Sequence, residues 1–211
     1  KIENNTLSVE AVILNHDLTL GIPDLLQKIC DLNIPIIPSM QLGWHTRKKS
    51  QHFYCMNETI SDFCQHFSDL NIDPWFFSTI FKSEENIDIN SSSDRDRLSH
   101  SCLALLSEIA QQYQKHGINQ KPFVFLKADS GTYGMGVVPI EDAQDIQFLN
   151  RKLRNTLNKG KSAKQHVNFI LQEGLPAVTQ LNTHVSETVV YQIANQYIGS
   201  FLRYNTQKND R

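Results

Sequence analysis

Residues 121–140 read KPFVFLKADSGTYGMGVVPI, and how this stretch is parsed decides the fold. Three glycines, Gly131, Gly134 and Gly136, fall within six positions, directly after an apolar run (Val124, Phe125, Leu126) that ends in Lys127. Glycine-rich loops that cradle phosphate differ in the element behind them. A Walker A loop needs GxxxxGK[ST] leading into a helix, and no lysine succeeds Gly136. A dinucleotide fingerprint needs GxGxxG opening a helix, whereas the order here is GxxGxG running into Val137, Val138, Pro139 and Ile140, an extended segment. The remaining option is strand, glycine loop, strand: a flap whose backbone N–H groups fold over a phosphate, with Lys127 on the entering strand to pair with its charge. An ordinary hairpin with a flexible turn is the alternative, and Lys127, Asp129 and Ser130 just ahead of the glycines weigh against it.

Composition limits the kind of protein such a loop can belong to. The chain has 211 residues, 40% hydrophobic and 20% charged, enough for one good core or two small ones. Twenty basic and 22 acidic residues leave a formal net charge of -2, so no chain-wide positive field draws it to nucleic acid or an anionic membrane. No apolar run approaches the roughly 20 residues that cross a bilayer, and KIENNTLSVE lacks the apolar centre of a signal peptide, so a cytoplasmic location is expected. The polar ending YNTQKNDR closes no core, and the protein is expected to continue past Arg211. Cys30, Cys55, Cys64 and Cys102 are widely spaced, without a CxxC pair or a histidine pattern of metal-ligand type, and read as reduced structural thiols.

Strand and helix patterns alternate along the first 90 residues. AVILNHDL (11–18) is an apolar run turning polar, and PDLLQKICDLN (23–33) has helical spacing with Pro23 suited to a first turn. IPIIPS (34–39) reads as a short strand that Pro35 and Pro38 push to an edge, GWHTRKKSQHF (43–53) as a polar loop. ETISDFCQHFSDLN (58–71) places Ile60, Phe63, Cys64 and Phe67 on one helical face. These elements form an N-terminal α/β subdomain, residues 1–90. FKSEENIDINSSSDRDR (81–97) is polar, serine-rich and aperiodic, and is expected to be a mobile loop or lid at the boundary.

Residues 91–211 form the second unit. RLSHSCLALLSEIAQQYQKHG (97–117) predicts a long helix with Leu98, Cys102, Leu105 and Ile109 inward and Gly117 as its stop. After the flap, EDAQDIQFLNRKLRNTLNKG (141–160) reads as one helix, acidic at its start and basic at its end. Its Arg151, Lys152 and Arg154 read as a solvated face, with phosphate or RNA contact as the sharper alternative. VNFILQEGLPAV (167–178) is an apolar strand that turns polar at Gln172 and Glu173 and bends at Gly174 and Pro176; a strand entering such a hinge can offer backbone groups to an adenine edge. ETVVYQIANQYIGSFLRYN (187–205) reads as two strands about a short turn, carrying Arg203 at the end of the second.

This order (lysine strand, glycine flap, helix, strand with acidic hinge, hairpin ending in arginine) resembles the ATP-grasp fold. With NHDLTLGIP (15–23), GWHTRKKSQHF (43–53), FVFLKADSGTYGMGVV (123–138), NRKLRN (150–155), LQEGL (171–175) and ETVVYQI (187–193) taken together, most of the chain resembles the bacterial ATP-grasp type of glutamate-cysteine ligase. ADSGTYGMG and GWxxRKKSxHF are its specific segments. The resemblance implies an α/β (α+β) chain, an ATP-grasp fold with an N-terminal α/β substrate-binding subdomain. It also implies ATP- and Mg2+-dependent ligation of the glutamate side-chain carboxylate, through an acyl phosphate, to the amine of cysteine, the first step of glutathione biosynthesis.

Site roles come from the resemblance as well. Lys127 neutralises the α- and β-phosphates, and Ser130, Gly131, Thr132, Tyr133, Gly134, Met135 and Gly136 close over the β- and γ-phosphates. Gln172, Glu173, Gly174 and Leu175 hold the adenosine, and Arg203 faces the transferred phosphoryl group. Arg47, Lys48 and Lys49 form a cationic site for an amino-acid carboxylate, with Asn15, Asp17 and Trp44 shaping its amine end. Metal ligands have no evident counterpart. The partners implied are glutamate, cysteine and ATP, with no nucleic acid and no membrane, and a homo-oligomer is compatible with the reading. Another ATP-grasp ligase, such as glutathione synthetase, a non-catalytic nucleotide-binding module and an RNA-binding helix at 151–164 are the alternatives.

Overall fold

The structure of the chain is a computed structural model, which describes residues 8–18, 21–130, 136–158, 167–182 and 184–204. It is a mixed α/β chain. At the N-terminus, β1 (Val12–Ile13), α1 (Asp24–Asp31) and β2 (Ile36–Ile37) form a small unit in which the two strands pair in parallel, Val12 opposite Ile36 and Ile13 opposite Ile37. The Ile37–Pro38 peptide is cis. Helix α2 (Lys49–His66) comes next and leans on the third strand.

The principal sheet contains β3 (Phe81–Ile87), β4 (Val124–Ala128), β5 (Val137–Ile140) and β6 (Val167–Glu173) in the order β3-β6-β4-β5, antiparallel throughout. Central β6 is buried on both faces at Phe169, Ile170 and Leu171, which is why VNFILQE reads as an unbroken apolar run. Across one face lies α3 (Ser92–Lys115), whose Leu98, Cys102, Leu105 and Ile109 recur at helical spacing and meet Val124, Leu126, Phe169 and Leu171. The Ser91 hydroxyl caps α3 by accepting from the Asp94 N–H at 3.4 Å. The edge of this layer is closed by α4 (Arg151–Asn158) and a 3-10 turn at Ala143–Ile146.

A second sheet, β7 (Gln180–Leu181), β8 (His184–Ile193) and β9 (Gln196–Tyr204), is an antiparallel hairpin with one short added strand. Ala194 and Asn195 make its two-residue turn with φ of 48° and 62°, the conformation that matches the twist of the flanking strands.

Four expectations change. Residues 81–97 are not a lid: Phe81–Ile87 is an edge strand, polar because only part of it faces the core, with the register shifting between Glu84 and Ile87. GWHTRKKSQHF is a loop only as far as Lys48, since α2 begins at Lys49, nine residues ahead of the expected helix at Glu58. Residues 141–160 are not one helix, because Asp142 and Asp145 form a capping box around a short 3-10 turn and the Asn150 side chain starts α4 afresh, accepting from the Leu153 N–H at 2.9 Å. The strands expected at 11–18 and 34–39 shrink to two residues each. All four cysteines are free thiols, as expected; burial pushes the Cys102 thiol up to about 12, so it acts as an inert core residue. Among the described residues no helix is long and apolar enough to cross a membrane.

Candidate active site

Strand alternation decides which residues share a surface. On β4 and β6 the residues Val124, Leu126, Leu171 and Glu173 face α3, while Phe125, Lys127, Ile170 and Gln172 face away, with Phe125 paired to Gln172 and Lys127 to Ile170. On that outer face Lys127 Nζ donates to Gln172 Oε1 and lies 5.8 Å from the centre of the Phe53 ring, reached from α2. Phe53 in turn packs on Phe81 of β3 at 5.8 Å. Burial in this setting lowers the Lys127 pKa. An anion arriving at the ammonium would relieve that cost.

Glu173 is on the wrong side to join Lys127. Its side chain lies with Trp75 and Tyr113 beneath α3, and burial raises its pKa. Trp75 Nε1 is close enough to offset this in part but stands outside hydrogen-bonding geometry, so the indole N–H and Glu173 Oε1 are both buried without a partner among the described residues. The amides at this hinge serve the fold: Glu173 N–H donates to Ile80 O at 2.9 Å and Gly174 N–H to Phe123 O at 2.8 Å. Leu175 is exposed.

The ends of the glycine stretch are defined. Lys127 pairs with Val137 in antiparallel register, and β5 starts directly after Gly136, so the chain reverses here and opens no helix at Gly136. Gly131, Thr132, Tyr133, Gly134 and Met135 lie outside the described residues. Gly136 has φ +72° and sits so near α4 that a Cβ would be 2.9 Å from Thr156 O.

The GWHTRKKS loop docks on the strand end that leads into this stretch. Lys48 and Ser130 form an antiparallel bridge, Lys49 N–H donates to Asp129 O at 2.8 Å, and Lys49 Nζ donates to Ala128 O at 2.8 Å. Ser50 N–H and Ser50 Oγ donate to the two carboxylate oxygens of Asp129, each at 2.7 Å. Lys49 is thus turned onto backbone carbonyls, while Arg47 is exposed and neither Arg47 nor Lys48 has an ion-pair partner among the described residues.

Upstream in the same loop, Trp44 joins Leu14, Asn15, His16, Asp17 and Pro38 around an open cleft of about 630 Å³. Trp44 Nε1 donates to Asp17 O at 3.2 Å, fixing the indole against the β1 loop. The three residues expected to shape an amine site therefore do meet. Three residues separate Trp44 at this cleft from Lys48 at the bridge to Ser130, a reach of at most about 14 Å.

Arg203 is not brought to this group by any described contact. On the exposed hairpin it faces Glu187 across the strands and donates to it through Nε at 2.7 Å. Among the described residues no group of three His, Cys, Asp or Glu stands together as a metal site. Ser50 and Phe53 fall within the GWxxRKKSxHF segment, and Asp129 within ADSGTYGMG, but sequence reasoning gave none of them a role at the site; the Phe53–Lys127 and Ser50–Asp129 contacts depend on pairings more than 70 residues apart.

The family model for glutamate-cysteine ligase, GshA, matches residues 1–211. Among solved structures, a protein from Methylobacillus flagellatus KT provisionally named gamma-glutamylcysteine synthetase is 36% identical, with a TM-score of 0.80, over 95% of this chain and 46% of that one. The chain thus spans about half the length of that protein. No curated protein matches it. With its whole length matched by the family model, the chain belongs to the glutamate-cysteine ligase family, GshA.

Proposed function

We propose that the full protein is an ATP-dependent ligase that joins the side-chain carboxylate of glutamate to the amine of cysteine, on an ATP-grasp fold, in the cytoplasm. The observation that carries this reading is the bridge between Lys48 and Ser130, which fastens a cationic loop to the strand bearing Lys127. Two substrates of a ligase must meet, and a backbone contact between the two segments read as their binding elements supports this reading.

In this reading Lys127, half-buried between Gln172 and Phe53, takes the nucleotide phosphates, and Gln172 turns from the ammonium to the nucleotide when they arrive. Leu175 and the backbone after β6 cover the adenine. Arg47 and Lys48 hold an amino-acid carboxylate, and the Asn15, Asp17 and Trp44 cleft receives its amine end. Glutamate attacks the γ-phosphorus, ADP leaves, and the cysteine amine then displaces phosphate from the acyl carbon, losing a proton. Positioning and charge neutralisation carry such a reaction, together with exclusion of water from the acyl phosphate. Arg203 reaches the phosphoryl group only if its hairpin, or the Glu187 pair, rearranges. A bound Mg2+ would supply further neutralisation of phosphate charge; no described residue is assigned as its ligand, and no step here depends on it.

The test is full-length protein with ATP, Mg2+, glutamate and cysteine, read by ADP release and by the mass of the product. The expected product is the glutamyl-cysteine dipeptide. Nucleotide binding without ADP release would make the protein a binding module, and turnover only with a dipeptide plus glycine would move it to glutathione synthesis.

A further inference from the structure

Helix α2 begins against the usual rules. Its N-cap residue, Lys48, offers no capping side chain, no acidic residue lies in its first turn, and Arg47, Lys48 and Lys49 put three cations at the positive end of the helix dipole. The missing cap comes from elsewhere. Asp129, 79 residues downstream and 3% exposed, accepts from Ser50 N–H and Ser50 Oγ with its two oxygens, while its own N–H donates to Asn168 O at 2.8 Å. Its backbone is therefore fixed in the sheet, and its carboxylate is fixed on the helix.

We infer that Asp129 is a positioning residue, a cap supplied from a distant part of the same chain that sets the distance between the Arg47–Lys48 cations and the Lys127 strand. The inference rests on the proposed ligase reading for the groups that are positioned, but the clamp itself is a property of this chain. Asp129 lies two residues from Lys127 and one from Ser130, and Ser50 lies two from Lys48, so a shift at this contact moves both sets of groups relative to each other. Binding each substrate alone needs only one side of the clamp. Bringing the reacting atoms together needs both, and a misplacement of about 1 Å can cost on the order of a hundredfold in rate.

The experiment uses full-length Asp129→Asn and Ser50→Ala, with Ser50→Thr as the variant that keeps the hydroxyl. Hydrogen exchange at residues 49–53 is expected to speed by about tenfold or more in Asp129→Asn and by a smaller factor in Ser50→Ala, which keeps the N–H bond to Asp129 and loses only the hydroxyl bond, with the amides of Val124–Leu126 unchanged in both, since a cap holds the first turn and not the sheet. In turnover, kcat is expected to fall about tenfold to a hundredfold while ATP and amino-acid KM stay within about threefold, and Ser50→Thr is expected to recover most of kcat. Unchanged exchange at 49–53 overturns the clamp, whatever the enzyme's activity. Faster exchange with equal losses in ATP binding, amino-acid KM and melting temperature overturns the positioning role and leaves a structural one. If wild type itself makes no dipeptide, the ligase reading fails separately, and the exchange data still decide the clamp.

Discussion

The α-carbon of Gly174 lies under the ring of Phe123, so close that a methyl group there would stand 2.3 Å from Cε2 and 2.4 Å from Cδ2. The same pair shares a backbone hydrogen bond of 2.8 Å, and Phe123 is buried, so neither partner has room to withdraw. The bend after β6 therefore requires glycine for space and not for an unusual φ. Gly174→Ala is expected to destabilise the protein by about 1–3 kcal/mol through overpacking. Combined with Phe123→Leu, the added cost of Gly174→Ala should shrink, because the ring that blocks the methyl is gone. Thermal melts of the two single variants and the double variant check this; fully additive losses would show that the backbone, not the ring, sets the limit.

Glu173 gives the fold a pH dependence of known sign. Burial raises its folded pKa above the ordinary value near 4.5. The folded state thus holds a proton that the unfolded chain has released, so the stability from this group is fully present below about 4.5 and is lost as pH rises through the folded pKa. Glu173→Gln keeps the shape and removes the buried charge. It is expected to raise the melting temperature at pH 7 to 8 and to give no gain at pH 4. A gain of equal size at both pH values would show that the substitution acts through packing or through Trp75 and not through ionisation.

Lys127 should matter more to nucleotide than to folding. Lys127→Met retains much of the apolar stem and removes the ammonium that burial already disfavours, so melting of the ligand-free protein should change little. ATP binding should weaken by about 2 to 4 kcal/mol, the range for removing one partner of a close charge pair. Because a bound phosphate favours the charged form, wild-type affinity is expected to fall as pH rises through the lowered Lys127 pKa, and that slope should be missing in Lys127→Met. Calorimetric titration with ATP at several pH values tests both statements, and equal affinity in the two proteins would remove Lys127 from the phosphate site.

The legible parts of this chain were those set by neighbours in sequence. The antiparallel strands 124–128 and 137–140 on either side of the glycine stretch, the inward stripe of α3 and the β8–β9 hairpin arise from local periodicity, and each stands in the structure. The parts that escaped were set at a distance. FKSEENI is an edge strand whose partner, β6, lies some 90 residues on, and its exposed side carries the polar residues that made it look like a loop. Helix α2 could not be started at Lys49 by any local rule, since its cap is Asp129. The site divides in the same way: Lys127 and Gln172 fall on one face because their strands pair, whereas Glu173, next in sequence to Gln172, turns to the opposite side.

The cations ahead of α2 allow function to be separated from stability at a single position. Arg47 is exposed, has no ion-pair partner among the described residues and stands beside a helix N-terminus, where positive charge costs about 0.3–1 kcal/mol. Nothing in the fold requires it, so its removal should leave the protein as stable or slightly more so. If it holds an amino-acid carboxylate through its planar fork, Arg47→Gln should raise the melting temperature slightly while raising the KM for glutamate or cysteine by an order of magnitude or more. Arg47→Lys keeps the charge and loses the fork, and is expected to raise the same KM about tenfold with ATP binding near wild type. Saturation curves for glutamate, cysteine and ATP on all three proteins decide the matter. A rise confined to one amino acid assigns Arg47 to that substrate; equal weakening of all three gives the loop a structural role, and no change in any leaves Arg47 a solvated side chain.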